Sequence, residues 1–258
     1  MKIGTLSFEL RGSEMALHGK DRIERIVTAI NDHSPDILVT GGYSLQEESD
    51  LNTLGRALKK LNWDGLLFVE VKDSESHSLS KLAKKGNSNH CAFAWISSRW
   101  ERLGVQHLMD SRDRDDRNKL ADFQANLERR KLIFRRKNVG LLICGELNVV
   151  KGRNNVEIEN RDIEEWFRSL DIIVNPTHDR MSNHGTLIAK RKYLSTPAGS
   201  KSKTYVSASN WNSLKRISGR TIAQSPDADT LHTVYLNGAR LKQISGGYED
   251  FEYREASA

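Results

Sequence analysis

The segment "NVGLLICGELNVV", residues 138–150, places a cysteine and a carboxylate at the end of an apolar run. Cys144 closes the run and Glu146 follows two residues later. A thiol at the end of a buried strand can act as a nucleophile when a base stands beside it. Free cysteine is also among the most buried residue types, so a core position is the alternative for Cys144. The second cysteine, Cys91, lies inside an apolar pattern and is expected to fill the core.

Several other residues could supply the proton transfers that such a thiol requires, because a free thiol is mostly protonated at neutral pH. Glu70 stands in the apolar stretch "LLFVEV", where a buried carboxylate needs a partner. Glu47 and Glu48 follow a Gly-Gly pair, and His107 lies in the segment "GVQHLM".

The surrounding pattern predicts the elements that would position these side chains. The first 72 residues alternate strand, helix, strand, helix, strand, which is typical of a layered α/β fold. Further strands are predicted at "HCAFAWIS", "NVGLLIC", "DIIVNP" (ending at Pro176) and "TYVSASN", and a helix at "DIEEWFRSL" with Asn160 as its N-cap. Asn237 and Gly238 predict a hairpin turn near the end of the chain.

The composition of the 258 residues is that of a globular chain, with 37% hydrophobic and 29% charged residues. Two unpaired cysteines favour a reducing compartment, and we expect a cytoplasmic protein without a membrane span. The net charge of +6 permits nucleic acid as a partner but does not favour it. The segment "KRKYL" is expected to be a solvated helix face, and Lys190, Arg191 and Lys192 would make any phosphate contacts.

The order of these motifs resembles that of the nitrilase, or carbon–nitrogen hydrolase, superfamily. "VGLLICGE" at 139–146, "SLDIIVNP" at 169–176, "TYVSASN" at 204–210 and the closing hairpin follow the family's sequence of elements. The resemblance implies one domain over residues 1–258, built as an α/β four-layer αββα sandwich with two central mixed sheets. It implies cysteine-dependent hydrolysis of a small amide or nitrile without a cofactor or metal. It also implies a homodimer packed through helices near the cysteine, with Trp166 and Phe167 as candidate contacts.

Two of the three catalytic positions of that family are altered in this chain. Gly42 stands where the resemblance implies the catalytic glutamate, and residues 104–109 contain Gln106 and His107 but not the expected lysine. A rearranged set is therefore predicted, in which Glu47, Glu48 or Glu70 replaces the lost base. The predicted catalytic residues are Cys144, Glu146, Glu47 and His107, and the predicted substrate-binding residues are Gly42, Tyr43, Glu70, Asn175 and His178.

Two other functions remain open on the sequence. The chain could keep the fold as a binding or assembly module with a degenerate site. Alternatively, "GELN" at 145–148, Gln46-Glu47 and His232 are similar to parts of the magnesium-dependent endonucleases and phosphatases, which share the αββα sandwich. Clustered carboxylates that bind Mg²⁺ would identify the latter class.

Overall fold

The computed structural model of the chain describes residues 1–11, 14–73, 90–179, 184–197, 199–214, 216–217, 220–221 and 230–258. Its α-helices are α1 (Gly19–His33), α2 (Glu48–Lys60), α3 (Arg117–Ala125), α4 (Arg161–Ser169) and α5 (His184–Ser195). Short 3-10 helices cover Asp113–Asp115, Glu128–Arg130 and Cys144–Val149.

The strands form two large mixed sheets and one small hairpin. In chain order they are β1 (Lys2–Ser7), β2 (Glu9–Arg11), β3 (Glu14–Met15), β4 (Ile37–Thr40), β5 (Leu45–Glu47), β6 (Leu66–Asp73), β7 (Cys91–Ile96), β8 (Arg99–Gly104), β9 (Lys131–Phe134), β10 (Lys137–Leu141), β11 (Ile172–Asp179), β12 (Thr204–Asn212), β13 (Arg216–Ile217), β14 (Arg220–Thr221), β15 (His232–Leu236), β16 (Ala239–Arg240), β17 (Ile244–Ser245) and β18 (Glu252–Ser257).

The first sheet runs in the order β17, β18, β1, β4, β6, β7, β8, with β5 also paired to β6. The second sheet runs in the order β16, β15, β12, β11, β10, β9, with β2 and β3 joined to it through β12. Within each sheet a central group is parallel: β1, β4 and β6 in the first, and β10, β11 and β12 in the second. The carboxyl ends of parallel strands meet at one edge of a sheet, so the residues that follow β4 and those that follow β10 each lie at such an edge of their own sheet.

Alternation along the strands separates the core into layers. One face of each sheet points to the space between the sheets, which is filled by apolar side chains of both, namely Ile3, Ile37, Val39, Leu66 and Phe68 of the first and Val139, Leu141, Ile172, Val174 and Val206 of the second. The outer face of the first sheet packs against α1 and α2, and that of the second against α3, α4 and α5. The predicted αββα sandwich with two mixed sheets is confirmed.

Helix α4 follows the predicted pattern, and the Asn160 side chain caps it by accepting a hydrogen bond from Ile163 N at 3.0 Å. Trp166 and Phe167 are only 5% and 2% exposed, and they pack in the chain's own core. Their predicted use as contacts of a dimer is therefore wrong for these side chains, while the homodimer itself stays a prediction.

Two further expectations differ from the structure. Strand β11 does not end at Pro176 but continues to Asp179, because its parallel pairing with β12 extends past the proline to Thr177 and, after a bulge, to Asp179. The segment predicted to be a solvated helix face is partly internal, since Lys190 and Arg191 are 6% and 2% exposed. The guanidinium of Arg191 donates hydrogen bonds to the Thr230 carbonyl and to Ser207 Oγ, so it is not available to a phosphate.

Among the described helices, none has the length and apolar character needed to cross a membrane.

Candidate active site

Cys144 lies three residues beyond β10 and begins the 3-10 helix Cys144–Val149. It is partly exposed, and its backbone has a φ of 40°, a left-handed conformation that is uncommon for a non-glycine residue and is concentrated at functional sites. The Asn175 side chain holds this turn, because its Nδ2 donates to the carbonyls of Leu142 at 3.2 Å and Cys144 at 3.4 Å. Tyr205 in turn orients the amide by donating its hydroxyl hydrogen to Asn175 Oδ1 at 2.8 Å.

His178, in the extension of β11 beyond Pro176, connects the thiol to a carboxylate. Its Nε2 lies 2.8 Å from Glu70 Oε2, and its ring is close enough to the Cys144 side chain for the two groups to interact. Because Nε2 is engaged by Glu70, Nδ1 is the ring nitrogen left for the thiol. The ring of Tyr43 stacks on that of His178, with the centroids 3.9 Å apart and the planes 4° from parallel.

Glu70 projects from β6 of the first sheet and is only 1% exposed. Its Oε2 also accepts a hydrogen bond from the backbone N–H of Tyr43 at 3.0 Å, and its Oε1 lies 3.4 Å from His90 Nε2. The rings of His90 and His178 meet edge to face with centroids 4.9 Å apart. A carboxylate is thus enclosed between two histidines in the interior of the protein.

These contacts shift the pKa values of the three ionisable side chains in different directions. Burial opposes ionisation of Glu70, but His178 and His90 outweigh it and lower the pKa of the carboxyl to about 2. Burial also opposes the charged form of His178, yet its interactions with Cys144 and Glu70 raise its pKa well above 6.5. For His90, burial outweighs the attraction to Glu70 and lowers the pKa. The geometry favours an ionised Glu70 beside a protonated His178.

The turn at Gly41 and Gly42 has no room for side chains. A Cβ at Gly42 would overlap the His178 ring and lie 2.6 Å from Glu70 Oε2, and a Cβ at Gly41 would overlap the Asn210 side chain. The Gly42 N–H donates to the Thr177 carbonyl at 2.9 Å, and its carbonyl accepts from Asn210 Nδ2 at 2.5 Å. The space that a residue-42 side chain would need is therefore occupied by the Glu70–His178 pair.

Glu146 and His107 were predicted to be catalytic together with Cys144. In the structure their contacts hold the backbone around the cysteine in place. The Glu146 carboxylate is fully buried in an ion pair with Arg130, which is equally buried. It also accepts hydrogen bonds from the backbone N–H of His107 and of Ile143, each at 2.7 Å. Burial, together with the charge of Arg130, lowers the pKa of His107. This pair fixes the backbone on both sides of the cysteine.

Glu47 lies elsewhere, as an exposed residue at the junction of β5 and α2. The pairing of β5 with β6 sets it opposite Asp73, three residues beyond Glu70. The Glu70 carboxylate, in contrast, is buried and hydrogen bonds to His178.

Three groups in this cluster have the chemistry of metal ligands. One ligand atom each of Glu70, His90 and His178 lies within 4.8 Å of the other two, which fits a divalent cation bound by two imidazoles and a carboxylate. A metal bound to His178 Nε2 would displace the hydrogen bond that this nitrogen makes with Glu70. The metal-binding and the hydrogen-bonded states of the cluster therefore exclude each other.

His90 and Arg130 were not identified from the sequence as site residues. The only signal for His90 is a polar residue immediately before the buried strand at residue 91, and for Arg130 it is one arginine within the charged segment "LERRK". Neither pattern distinguishes an internal partner from a surface residue.

Comparisons with known proteins give structural neighbours only. No protein-family model matches the chain, and no curated protein matches it. Among solved structures, the NitN amidase from Nesterenkonia sp. AN1 aligns with a TM-score of 0.57 at 10% identity, covering 100% of this chain and 92% of that one. A carbon–nitrogen hydrolase from Helicobacter pylori G27 aligns with a TM-score of 0.55 at 11% identity, covering 99% and 88%. XC1258 from Xanthomonas campestris, described as a CN-hydrolase superfamily protein, aligns with a TM-score of 0.53 at 8% identity, covering 100% and 90%. The resemblance seen in the sequence motifs is thus confirmed at the level of the fold, which is that of the carbon–nitrogen hydrolase structures.

Proposed function

We propose that the chain is a cysteine-dependent hydrolase of carbon–nitrogen bonds that acts through Cys144, His178 and Glu70. The observation that carries the proposal is the position of His178, which hydrogen bonds to the carboxylate of Glu70 while its ring lies within reach of the Cys144 side chain. A nucleophile, a base within reach of it and a third group that orients the base are the elements of nucleophilic catalysis. Gly42, which lacks a side chain, leaves room for this arrangement.

Each of the three residues has one task in the reaction. The Cys144 sulfur, with its proton on His178 Nδ1, attacks the carbonyl carbon of an amide and forms a tetrahedral intermediate. His178 then donates that proton to the nitrogen, the C–N bond breaks, and an amine or ammonia leaves a thioester on the sulfur. His178 next removes a proton from a water molecule, which attacks the thioester and releases a carboxylic acid and the thiol. Glu70 keeps the imidazole oriented and stabilises its positive charge throughout.

The negative oxygen that forms in the tetrahedral intermediate needs a hydrogen-bond donor. The segment 104–109 carries no lysine, so another group must be that donor. The first N–H groups of a helix have no partner inside the helix. We assign the donor to the backbone N–H of Gly145, the second residue of the 3-10 helix that begins at Cys144. Gly145 must lack a Cβ, since that atom would overlap the Met109 carbonyl oxygen. The Glu146–Arg130 pair holds this helix in place and takes no part in proton transfer.

The structural neighbours support a small amide as the substrate class. A cysteine-to-alanine variant of the Nesterenkonia amidase has been described in complex with butyramide, and a double variant of it in complex with acrylamide. Butyramide is therefore the first compound to test with this chain.

The test is release of ammonia from butyramide by the unaltered protein and by single variants. Cys144→Ala and His178→Ala should each lower kcat by roughly four orders of magnitude or more, because the removal of one member disables the whole catalytic unit. Cys91→Ala is the matched control, since Cys91 is a fully buried thiol outside the cluster, and its activity should remain. A trapped thioester should appear as an acyl mass increment on the peptide that contains Cys144. Undiminished turnover by Cys144→Ala would refute the proposal, and a chain inactive on every amide would instead be the degenerate binding module.

A further inference from the structure

A cavity lies next to the 3-10 helix that begins at Cys144, on the outer side of the second sheet. It has a volume of about 480 Å³ and is formed by the end of the Cys144–Val149 helix, the segment around residues 151–153, and the first turns of α5. Four basic side chains line it: Arg114, Lys151, Arg153 and Lys190. Among the described residues of its wall there is no aspartate or glutamate.

Two of the four cations already have an acidic neighbour outside the cavity. Arg114 is 3.2 Å from Asp115, and Lys151 pairs with Glu159. The side chains of Asp115 and Glu159 are 66% and 50% exposed, so solvent screens them and they balance the charge only weakly. The guanidinium of Arg153 has no carboxylate partner in the described part of the chain. It lies against Gly185, where a Cβ would come within 2.5 Å of its Cζ.

Lys190 is the least expected member of the cavity wall, because it is only 6% exposed. Its ammonium group donates to Asn148 Oδ1 at 3.0 Å and lies 3.5 Å from the Leu147 carbonyl. Within the described ranges it has neutral partners only. Burial, with a contribution from the charge of Arg114, lowers its pKa to about 8. A buried ammonium group without a counter-ion destabilises the empty protein, and a bound anion would remove that penalty.

We propose that this cavity binds an oxyanion group, a carboxylate or a phosphate, and that the group is the far end of the amide hydrolysed at Cys144. The substrate part of this inference rests on the proposed function, whereas the anion site does not. Arginine and lysine together suit such a ligand, because a guanidinium offers paired donors and an ammonium a point charge.

The position of the cavity relative to the cysteine supports this assignment. Leu147 and Asn148 form part of its wall and belong to the 3-10 helix that begins at Cys144. With a rise of about 2.0 Å per residue, Asn148 lies roughly 8 Å along the helix from Cys144. A substrate that reaches both places would have its amide carbon and its anionic end separated by a distance of that order.

Binding is tested first, in a form that does not depend on catalysis. Calorimetric titration of Cys144→Ala protein with inorganic phosphate should show one site, and the same titration of a Cys144→Ala protein that also carries Lys190→Met should show affinity lower by about ten- to a hundredfold. Lys192→Met is the matched control, because Lys192 is an exposed lysine on the same helix, and it should leave the affinity unchanged. Phosphate should also raise the Tm of the unaltered protein but not that of Lys190→Met. The empty Lys190→Met protein should be at least as stable as the unaltered one, so misfolding would be recognised.

Kinetics then distinguish a substrate-borne anion from a free one. Straight-chain dicarboxylic acid mono-amides of increasing length are compared with neutral amides of the same length. If the anion is part of the substrate, kcat/KM should favour the acidic amide of suitable length by about ten- to a hundredfold, Lys190→Met should abolish that preference while sparing the neutral amide, and phosphate should compete with the acidic amide only. If phosphate instead changes turnover of the neutral amide, the site takes a free anion.

The outcomes separate the two proposals. Absence of phosphate binding, or binding that is equal in Lys190→Met and Lys192→Met, overturns the anion site whatever the activity. Phosphate binding that depends on Lys190 in a protein without amidase activity overturns the proposed function and leaves the anion site standing.

Discussion

The Glu70→Gln substitution is the sharpest test of the triad, because it keeps the shape of the side chain and removes its charge. In the structure the carboxylate is almost fully buried and lies 2.8 Å from His178 Nε2. For two unit charges roughly 4 Å apart at an effective dielectric constant of about 20, the interaction is about 4 kcal/mol. At about 1.4 kcal/mol per tenfold change, its loss should lower the rate of the cysteine-dependent step by about a thousandfold.

The assay can be made independent of the substrate by following inactivation with iodoacetamide. In the unaltered protein, modification of Cys144 should be fast near neutral pH, because His178 holds the proton of the thiol. In Glu70→Gln the imidazolium is no longer stabilised, so modification near neutral pH should be slow and should recover only at alkaline pH. Cys91 provides an internal control in the same chain, since it is fully buried and should stay unmodified.

Glu47→Gln is the matched control, because it removes a carboxylate that is exposed and lies three residues beyond the level of Glu70 in the sheet. Its inactivation profile should coincide with that of the unaltered protein. If Glu47→Gln slowed the modification of Cys144 and Glu70→Gln did not, the catalytic carboxylate would be Glu47. The role given to Glu70 as the partner of His178 would then be wrong.

Three further outcomes are expected. Arg130→Met should destabilise the protein by about 3–5 kcal/mol in urea unfolding, because it leaves the Glu146 carboxylate buried without its partner; a loss below about 1 kcal/mol would mean that Glu146 is not held as a buried ion. Removal of metal with EDTA should leave amidase activity unchanged, because a metal at His178 would break its hydrogen bond to Glu70; loss of activity that zinc restores would assign a catalytic metal to Glu70, His90 and His178. The free energy of unfolding of the unaltered protein relative to Glu70→Gln should be greatest between about pH 4.5 and 6.5. The lowered pKa of Glu70 contributes stability above 4.5 that is lost as the pH falls toward 2, and the raised pKa of His178 contributes stability below 6.5 that is lost as the pH rises through its folded value; a flat difference across this range would contradict the ionised pair.

The layers of the fold could be predicted from the sequence because they follow from local patterns. Alternating and continuous apolar runs give the strands, and apolar residues at helical spacing give α1, α2 and α4. The position of Cys144 at the end of a central strand follows from the same pattern. The burial of Lys190 and Arg191 could not be predicted, because a basic segment has the composition of a surface and only the packing of α5 on the second sheet encloses it.

The site was predicted less completely, because its key contact is between residues distant in the chain. Glu70 could be recognised as a carboxylate that needs a partner, but 108 residues separate it from His178. The strand containing His178 was expected to end at Pro176, and its continuation depends on pairing with β12, which the local sequence does not encode. A glutamate was expected close to Gly42 along the chain, whereas the structure supplies one from the neighbouring strand β6.

The triad joins the two sheets, with Glu70 on the first and Cys144 and His178 on the second. Its alignment depends on the Gly42 N–H, which donates to the Thr177 carbonyl across the gap, and on the apolar layer that sets the spacing. A slide of one sheet over the other by about 1 Å would lengthen the 2.8 Å contact beyond a hydrogen bond without unfolding either sheet. Under the proposed function, the rate of hydrolysis would therefore depend on how the two sheets are aligned. Substitutions of apolar residues between the sheets would then change that rate while every reacting group stays unchanged.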